Sequence, residues 1–159
     1  MDENTWLAEK ERIRRRIKAL RQEGICYSCR DFETGELFGK QEVIYEDDLY
    51  KVVLEIFPRM RGHTIVIFKP HREDISELLP EEVGPLFELC MRVVQALKEA
   101  LGAEKVYMNT MCDGGINHLH IQLFPRYPGE FHGSKRFVIE RGPLINGAGT
   151  AARIRSALQ

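Results

Sequence analysis

The sequence predicts an α+β fold with an antiparallel sheet of about five strands, one long helix and an added N-terminal helix. Two observations predict this class. Short strand-like segments come in two groups, and one long amphipathic segment separates the groups. The chain has 159 residues, of which 43% are hydrophobic, so it can bury a core and we expect one domain over residues 1–159.

The N-terminal segment, residues 1–24, predicts a helix that stops at Gly24. Its apolar residues recur at helical spacing: Trp6, Ile13, Ile17 and Leu20. Basic residues line its other sides: Arg12, Arg14, Arg15, Arg16, Lys18 and Arg21. A basic helix can bind phosphates, but such a face is more often simply solvated.

Residues 25–126 carry the strand-like segments, which are rich in β-branched and aromatic residues. The first three are QEVIYEDD, LYKVVLEIF and HTIVIFK, and the third is apolar on both faces, which is typical of a central strand. A long helix is expected over about residues 80–101, with Leu86, Leu89, Val93, Leu97 and Leu101 along one face. Pro85 should either bend this helix or delay its start.

Two more strand-like segments follow the long helix. They are KVYMNTM and HLHIQLF, joined by a turn at residues 112–115. The C-terminal tail, residues 127–159, is richer in glycine and proline, and one further strand is expected at residues 136–140.

Composition and charge narrow the function classes. A net charge of −1 indicates no general electrostatic partner and argues against a nucleic-acid ligand. No apolar run is long enough to span a bilayer, and the charged N-terminus lacks the apolar region of a secretion signal. We therefore expect a cytoplasmic protein with no membrane partner.

Cys26 and Cys29 form a C-x-x-C pair. In a chain with no sign of secretion, such a pair is either a metal knuckle or a redox dithiol rather than part of a disulfide framework. Cys90 falls within the long apolar helix, where a thiol packs as a small hydrophobic group.

His118, His120 and Gln122 alternate along one predicted strand, so they share one face of it. Taken alone, this pattern is typical of any strand with one buried and one wet face.

The alternating histidines belong to a longer ordered set of motifs. In chain order the set is G-H-T-I-V-I at 62–67, His71, D-G-G at 113–115, H-L-H-I-Q at 118–122 and P-R at 125–126. This set resembles the histidine triad (HIT) superfamily of nucleotidyl hydrolases and transferases, over about residues 25–126. The superfamily usually has a third alternating histidine, where this chain has Gln122. The H-x-H-x-Q form resembles the branch of galactose-1-phosphate uridylyltransferase and the dinucleoside tetraphosphate phosphorylases.

The resemblance implies a structural zinc site. Cys26 and Cys29 would supply two ligands, and the family positions of the other two fall on His71 and His118. Such a site would fasten the N-terminal segment to the sheet.

The resemblance also implies which residues carry the chemistry. His120 occupies the position of the family's nucleophile, with a backbone carbonyl fixing its tautomer. Gln122 would donate a hydrogen bond to a phosphate oxygen without titrating near neutral pH, which favours transfer to an acceptor other than water.

Further positions are implied to bind substrate: Glu55, His63, Asn109, Gly114 and Gly115. Glu55 would accept hydrogen bonds from the ribose hydroxyls, although an ordinary exposed glutamate in a strand explains it equally on sequence alone. The two glycines would allow backbone N–H groups to approach the phosphate closely.

We therefore expect a nucleotidyltransferase or phosphorylase that acts on a nucleotide substrate. The alternatives are a dinucleoside polyphosphate or nucleoside phosphoramidate hydrolase, and a zinc-stabilised nucleotide-binding protein with little turnover. The resemblance also implies a homodimer.

Overall fold

The computed structural model describes residues 3–158. The predicted helix 1–24 and the predicted domain 1–159 also include residues 1, 2 and 159, which lie outside the described residues. Helices occupy α1 (Glu3–Gln22), α2 (Tyr27–Thr34), α3 (Pro80–Leu101) and α4 (Gly147–Ala157). Strands occupy β1 (Val43–Glu46), β2 (Tyr50–Leu54), β3 (Thr64–Phe68), β4 (Lys105–Asn109) and β5 (His120–Arg126). No helix within residues 3–158 is long and apolar enough to cross a membrane.

The strands form one antiparallel sheet in the order β1-β2-β3-β5-β4. The predicted α+β class and the five-stranded antiparallel sheet are confirmed. The HTIVIFK segment forms the central strand β3, which pairs with β2 and with β5. At one edge of the sheet, β4 pairs with β5 and places Asn109 opposite Gln122.

The helix α3 covers one face of the sheet and forms the main core with it. The predicted apolar face of α3 is buried in full: Leu86, Leu89, Val93, Leu97 and Leu101. These side chains join a cluster with Val66 and Ile121 from the sheet, to which α4 adds Ile154. Pro85 lies inside the helix, which begins at Pro80, so the proline does not delay its start.

The opposite face of the sheet carries the polar positions of β5. Alternation along this strand sends Ile121 and Leu123 into the α3 core, and His120 and Gln122 to the other side. There α1 lies over the sheet and leaves a cavity between helix and strands. The fold thus uses one sheet face for stability and the other for a site.

Three local elements differ from the prediction. Two of them, α2 and α4, are helices that the sequence pattern does not predict. The third is the strand predicted at residues 136–140, and that prediction is wrong. Residues Ser134–Val138 form a 3₁₀ helix instead. The buried guanidinium of Arg136 explains the difference, because it donates to the carbonyl of Pro125 at 3.1 Å and pairs with the carboxylate of Glu130 at 2.7 Å. These bonds draw the side chain into the molecule, which an extended edge strand would not allow.

Candidate active site and metal centre

His120 and Gln122 lie on the floor of a cavity of about 790 Å³ between the sheet and α1. This volume falls in the usual range of small-molecule sites. The two side chains share one face of β5, as the sequence predicts. His118 precedes the strand and does not join them, because its buried ring contacts the cysteines Cys26 and Cys29.

The ring of His120 is held by a backbone carbonyl. Its Nδ1 atom lies 2.8 Å from the carbonyl oxygen of His118. Because a carbonyl oxygen only accepts, Nδ1 carries the proton, and Nε2 of the neutral ring keeps its lone pair. The arrangement therefore presents a basic, nucleophilic nitrogen on the half-buried ring that lines the cavity.

His63 fixes the orientation of the Gln122 amide. The backbone N–H of Arg59 donates to His63 Nδ1 at 3.3 Å, so the ring proton is on Nε2. That Nε2 lies 3.1 Å from Gln122 Oε1 and donates to it. The Gln122 NH2 group has no acceptor among the described residues, and its side chain lines the cavity. The amide therefore offers two donors to a ligand.

The role expected for His63 needs correction. Its side chain is 0% exposed and packs on the ring of Phe124, with the ring centroids 4.4 Å apart. No surface remains for a substrate, so His63 acts through Gln122 instead of touching a ligand. Burial lowers the pKa of His63 to about 4, which keeps the ring neutral and the hydrogen bond to Gln122 intact near neutral pH.

Glu55 lines the cavity, but its carboxylate already has protein partners. It pairs with the guanidinium of Arg141 at 3.0 Å and accepts the backbone N–H of Phe57 at 3.1 Å. Arg141 also donates to the carbonyl of Phe57 at 2.9 Å. A ligand hydroxyl at Glu55 would therefore meet a carboxylate held in place by an arginine from the C-terminal tail.

The glycine turn before β5 is closed by Asn117, a residue that no sequence motif singles out. Asn117 accepts the backbone N–H of Gly114 at 2.8 Å and donates to its carbonyl at 2.9 Å. The Gly114 amide is therefore not free for a phosphate, contrary to expectation, whereas Gly115 is exposed with open space around it. Asn109 is half-buried and opposite Gln122 in the sheet register, but it does not line the cavity.

Cys26, Cys29, His71 and His118 form one cluster. Their potential ligand atoms all lie within 4.8 Å of one another. His118 Nδ1 is 3.4 Å from Cys26 Sγ and 3.5 Å from Cys29 Sγ, and His71 Nδ1 is also 3.5 Å from Cys29 Sγ. Zinc–sulfur and zinc–nitrogen bonds in a tetrahedron place such atoms about 3.6 Å apart. The donor set and its spacing therefore fit a tetrahedral zinc ion.

The protonation of His118 also suits a metal. Its Nε2 donates to the carbonyl of Phe68 at 2.7 Å, so Nδ1 carries a lone pair directed at the thiols. Burial lowers the pKa of this ring, which favours the neutral form that ligates metals. Burial and the neighbouring Cys26 raise the pKa of the Cys29 thiol, so metal binding must displace a proton there.

Comparison with known proteins agrees with this geometry. The HIT domain family model matches residues 39–129, more than half of the chain. An uncharacterized HIT-like protein of Methanocaldococcus jannaschii is 33% identical over 109 residues, which cover 67% of this chain and 82% of that protein. Adenylylsulfatase HINT3 of Arabidopsis thaliana is 28% identical over 89 residues, covering 52% of this chain and 44% of that protein.

A solved structure has a similar fold. It is a zinc-bound histidine triad family protein from Mycobacterium smegmatis, with a TM-score of 0.66 and 27% identity. The alignment covers 84% of this chain and 92% of that chain. The family model spans the motifs from G-H-T-I-V-I to P-R, and the relative from M. jannaschii is 33% identical over 109 residues. The chain therefore belongs to the HIT domain family.

Proposed function

We propose that the protein is a nucleotidyltransferase or phosphorylase of the H-x-H-x-Q type, acting through a covalent nucleotidyl-His120 intermediate. Its substrate would be a nucleoside polyphosphate or a nucleotide sugar. The observation that carries the proposal is the ring of His120, whose Nδ1–H is fixed by the His118 carbonyl on the floor of the cavity. A neutral imidazole held in this way attacks phosphorus well and leaves it readily.

The reaction proceeds in two displacements. The Nε2 lone pair of His120 attacks the α-phosphorus of the nucleotide, a P–N bond forms and the P–O bond to the leaving group breaks. The leaving oxygen keeps the electron pair and takes a proton from solvent where it needs one. The acceptor then attacks the same phosphorus, the P–N bond breaks, and the electron pair returns to Nε2 while the acceptor proton passes to solvent.

Gln122 would hold the phosphate during both steps. Its amide is fixed by His63, so the NH2 donors are already aimed when negative charge develops on the phosphate oxygens. Because an amide does not titrate near neutral pH, it supplies no proton to an attacking water molecule. This favours an acceptor that is already an anion, such as phosphate or a sugar phosphate.

The metal in this proposal is a structural zinc held by Cys26, Cys29, His71 and His118. Support comes from the sulfur-to-nitrogen spacings, the His118 tautomer and the zinc-bound relative. When bound, the ion cross-links the start of α2 to the segment before β5. It would also steady the His118 carbonyl, which orients the ring of His120.

Hydrolysis is the second candidate function, because one relative carries the name adenylylsulfatase. In that case the site binds the same nucleotidyl group and water is the acceptor. The two functions share the intermediate and differ only in the second displacement.

The test is a pulse with α-phosphate-labelled ATP, UTP or diadenosine tetraphosphate, followed by a chase. Labelled protein that is discharged by inorganic phosphate much faster than by buffer supports the transferase or phosphorylase. Discharge at the same rate in buffer alone supports the hydrolase. If no label is retained and no substrate is consumed, the proposal is wrong. The remaining interpretation is then a nucleotide-binding protein with little turnover.

A further inference from the structure

The helix α1 forms one wall of the cavity that contains His120. It lies outside the residues 39–129 that the family model matches, so the family resemblance assigns it no role. Its side chains nevertheless face the candidate nucleophile across the same cavity.

One face of α1 is cationic. Lys10, Arg14, Lys18 and Arg21 all line the cavity, at spacings that place them on one side of a helix. Lys10 is engaged at the far end, where its Nζ lies 5.1 Å from the ring centroid of Trp6. From Arg14 to Arg21 the helix rises by about 10 Å, which suits an extended anion better than a single charge.

The acidic side chains that the structure describes do not neutralise Arg14 and Lys18. The one carboxylate among the described lining residues is Glu55, which is paired with Arg141. Arg14 and Lys18 form no ion pair with the side chains that the structure describes. By contrast, Arg12 and Arg15 lie off this face and are paired with the carboxylates of Glu9 and Glu11. The cavity face of α1 therefore carries uncompensated positive charge.

Arg21 connects this face to the turn before the nucleophile. Its guanidinium lies 5.6 Å from the ring centroid of Tyr27, another cavity residue. Its Nη2 atom is so close to Gly114 that a Cβ atom built there would lie 2.7 Å from it. The cation thus reaches the glycine turn whose own Gly114 amide is already bonded to Asn117.

We propose that Arg14, Lys18 and Arg21 form an anion subsite on the leaving-group side of His120, which selects substrates that release a polyphosphate. The inference rests on the proposed function and names its substrate class: nucleoside polyphosphates, in preference to nucleotides with a neutral leaving group. Charge-assisted hydrogen bonds from these residues would bind the phosphates beyond the scissile bond. A nucleic acid fits less well, because the outward-facing Arg12 and Arg15 are already paired with acids.

Two substrates with the same nucleoside and different leaving groups test the selectivity. Attack at the α-phosphorus releases pyrophosphate from ATP, and it releases ammonia, after protonation by solvent, from adenosine 5′-phosphoramidate. In the Arg14→Gln/Lys18→Gln protein, the ratio of kcat/KM for ATP to kcat/KM for the phosphoramidate should fall by about tenfold or more. The matched control is Arg15→Gln/Arg16→Gln, which removes the same charge from the side of α1 away from the cavity.

A binding measurement separates the subsite from the chemistry. Inorganic tripolyphosphate should bind the wild type and His120→Ala proteins equally in calorimetry. It should bind Arg14→Gln/Lys18→Gln about tenfold more weakly. An equal loss in the matched control, or no loss in either, overturns the subsite even if His120 is nucleotidylated. Tripolyphosphate binding without any nucleotidyl-protein would instead refute the proposed function and keep the subsite. Single-stranded RNA that binds more tightly than tripolyphosphate through Arg14 and Lys18 would also overturn the polyphosphate subsite.

Discussion

At the residue scale, the proposed mechanism predicts that Gln122 controls how the nucleotidyl-His120 intermediate is discharged. The substitution Gln122→His keeps a partner for His63 and adds a group that titrates near neutral pH. A proton can then move with an attacking water molecule, so the ratio of water attack to phosphate attack should rise about tenfold or more. Single-turnover discharge of the preformed intermediate measures this ratio. Gln122→Asn, which keeps an amide, is the control, and a ratio that is the same in all three proteins would limit Gln122 to positioning.

His63 makes the stability of the fold depend on pH. Burial lowers its pKa to about 4 in the folded protein, whereas the unfolded chain binds the proton at about 6.5. The neutral ring therefore stabilises the fold fully above about pH 6.5, and this contribution is lost as the pH falls towards 4. Between about pH 7 and about pH 5 the loss is about 2 kcal/mol.

Denaturant unfolding of the wild type and of His63→Gln across this pH range measures the contribution. The rest of the chain is the same in both proteins, so the difference between the two curves isolates His63. Parallel curves would show that the buried ring does not resist protonation.

At the element scale, the Cys2His2 cluster joins α2 and the segment before β5. If it holds zinc at about 1,000 times the Kd, chelation should lower the Tm by about 10 °C. Cys29→Ser should lower the Tm similarly and reduce the zinc content, whereas Cys112→Ser, at a thiol outside the cluster, should do neither. Stoichiometric zinc that survives Cys29→Ser, measured by atomic emission, would exclude the cluster as the metal site.

Elements with a strong internal pattern were predictable from sequence. The buried face of α3 and the apolar strand β3 carry their own periodicity, and both form where expected. The short helix α2 has only eight residues, too few for a helical pattern to stand out, and it is followed by a turn in which Asp31 accepts the backbone N–H groups of Leu37 and Phe38. The glycine-rich start of α4 likewise disfavours a helix, which forms because Ala151 and Ile154 pack into the core.

The same division applies to the candidate site. The cluster cysteines and histidines, and the pair His120 and Gln122, could be selected because the resemblance to the HIT superfamily marks their positions. The ion pair of Glu55 with Arg141 and the approach of Arg21 to Gly114 join residues far apart in the chain. No local pattern encodes such contacts, so only the folded arrangement reveals them.

At the scale of the whole molecule, we predict a homodimer. The edge strand β4 exposes Met108, and α3 exposes Met91, at 47% and 52% of their surface. Large exposed apolar side chains beside a sheet edge are typical of an interface between copies. Light scattering should give twice the chain mass, and Met108→Asp should reduce it to one chain.

Leu49→Asp is the control for that experiment, because Leu49 is exposed to 48% in the turn between β1 and β2, towards the edge of the sheet opposite β4. A monomeric wild type at micromolar concentration, or a dimer that persists in Met108→Asp, would contradict a dimer formed at this edge.

The fold places His120 on the floor of the cavity between the sheet and α1, and the central claim is that His120 becomes nucleotidylated. The direct measurement is acid-quenched labelling with α-phosphate-labelled nucleotide, comparing wild type, His120→Ala and His132→Ala, whose histidine is exposed and outside the cavity. We predict label on the wild type and on His132→Ala, and a decrease of more than about 1,000-fold in the labelling rate of His120→Ala. Labelling of His120→Ala within about tenfold of wild type, equivalent to about 1.4 kcal/mol of barrier, would contradict the account.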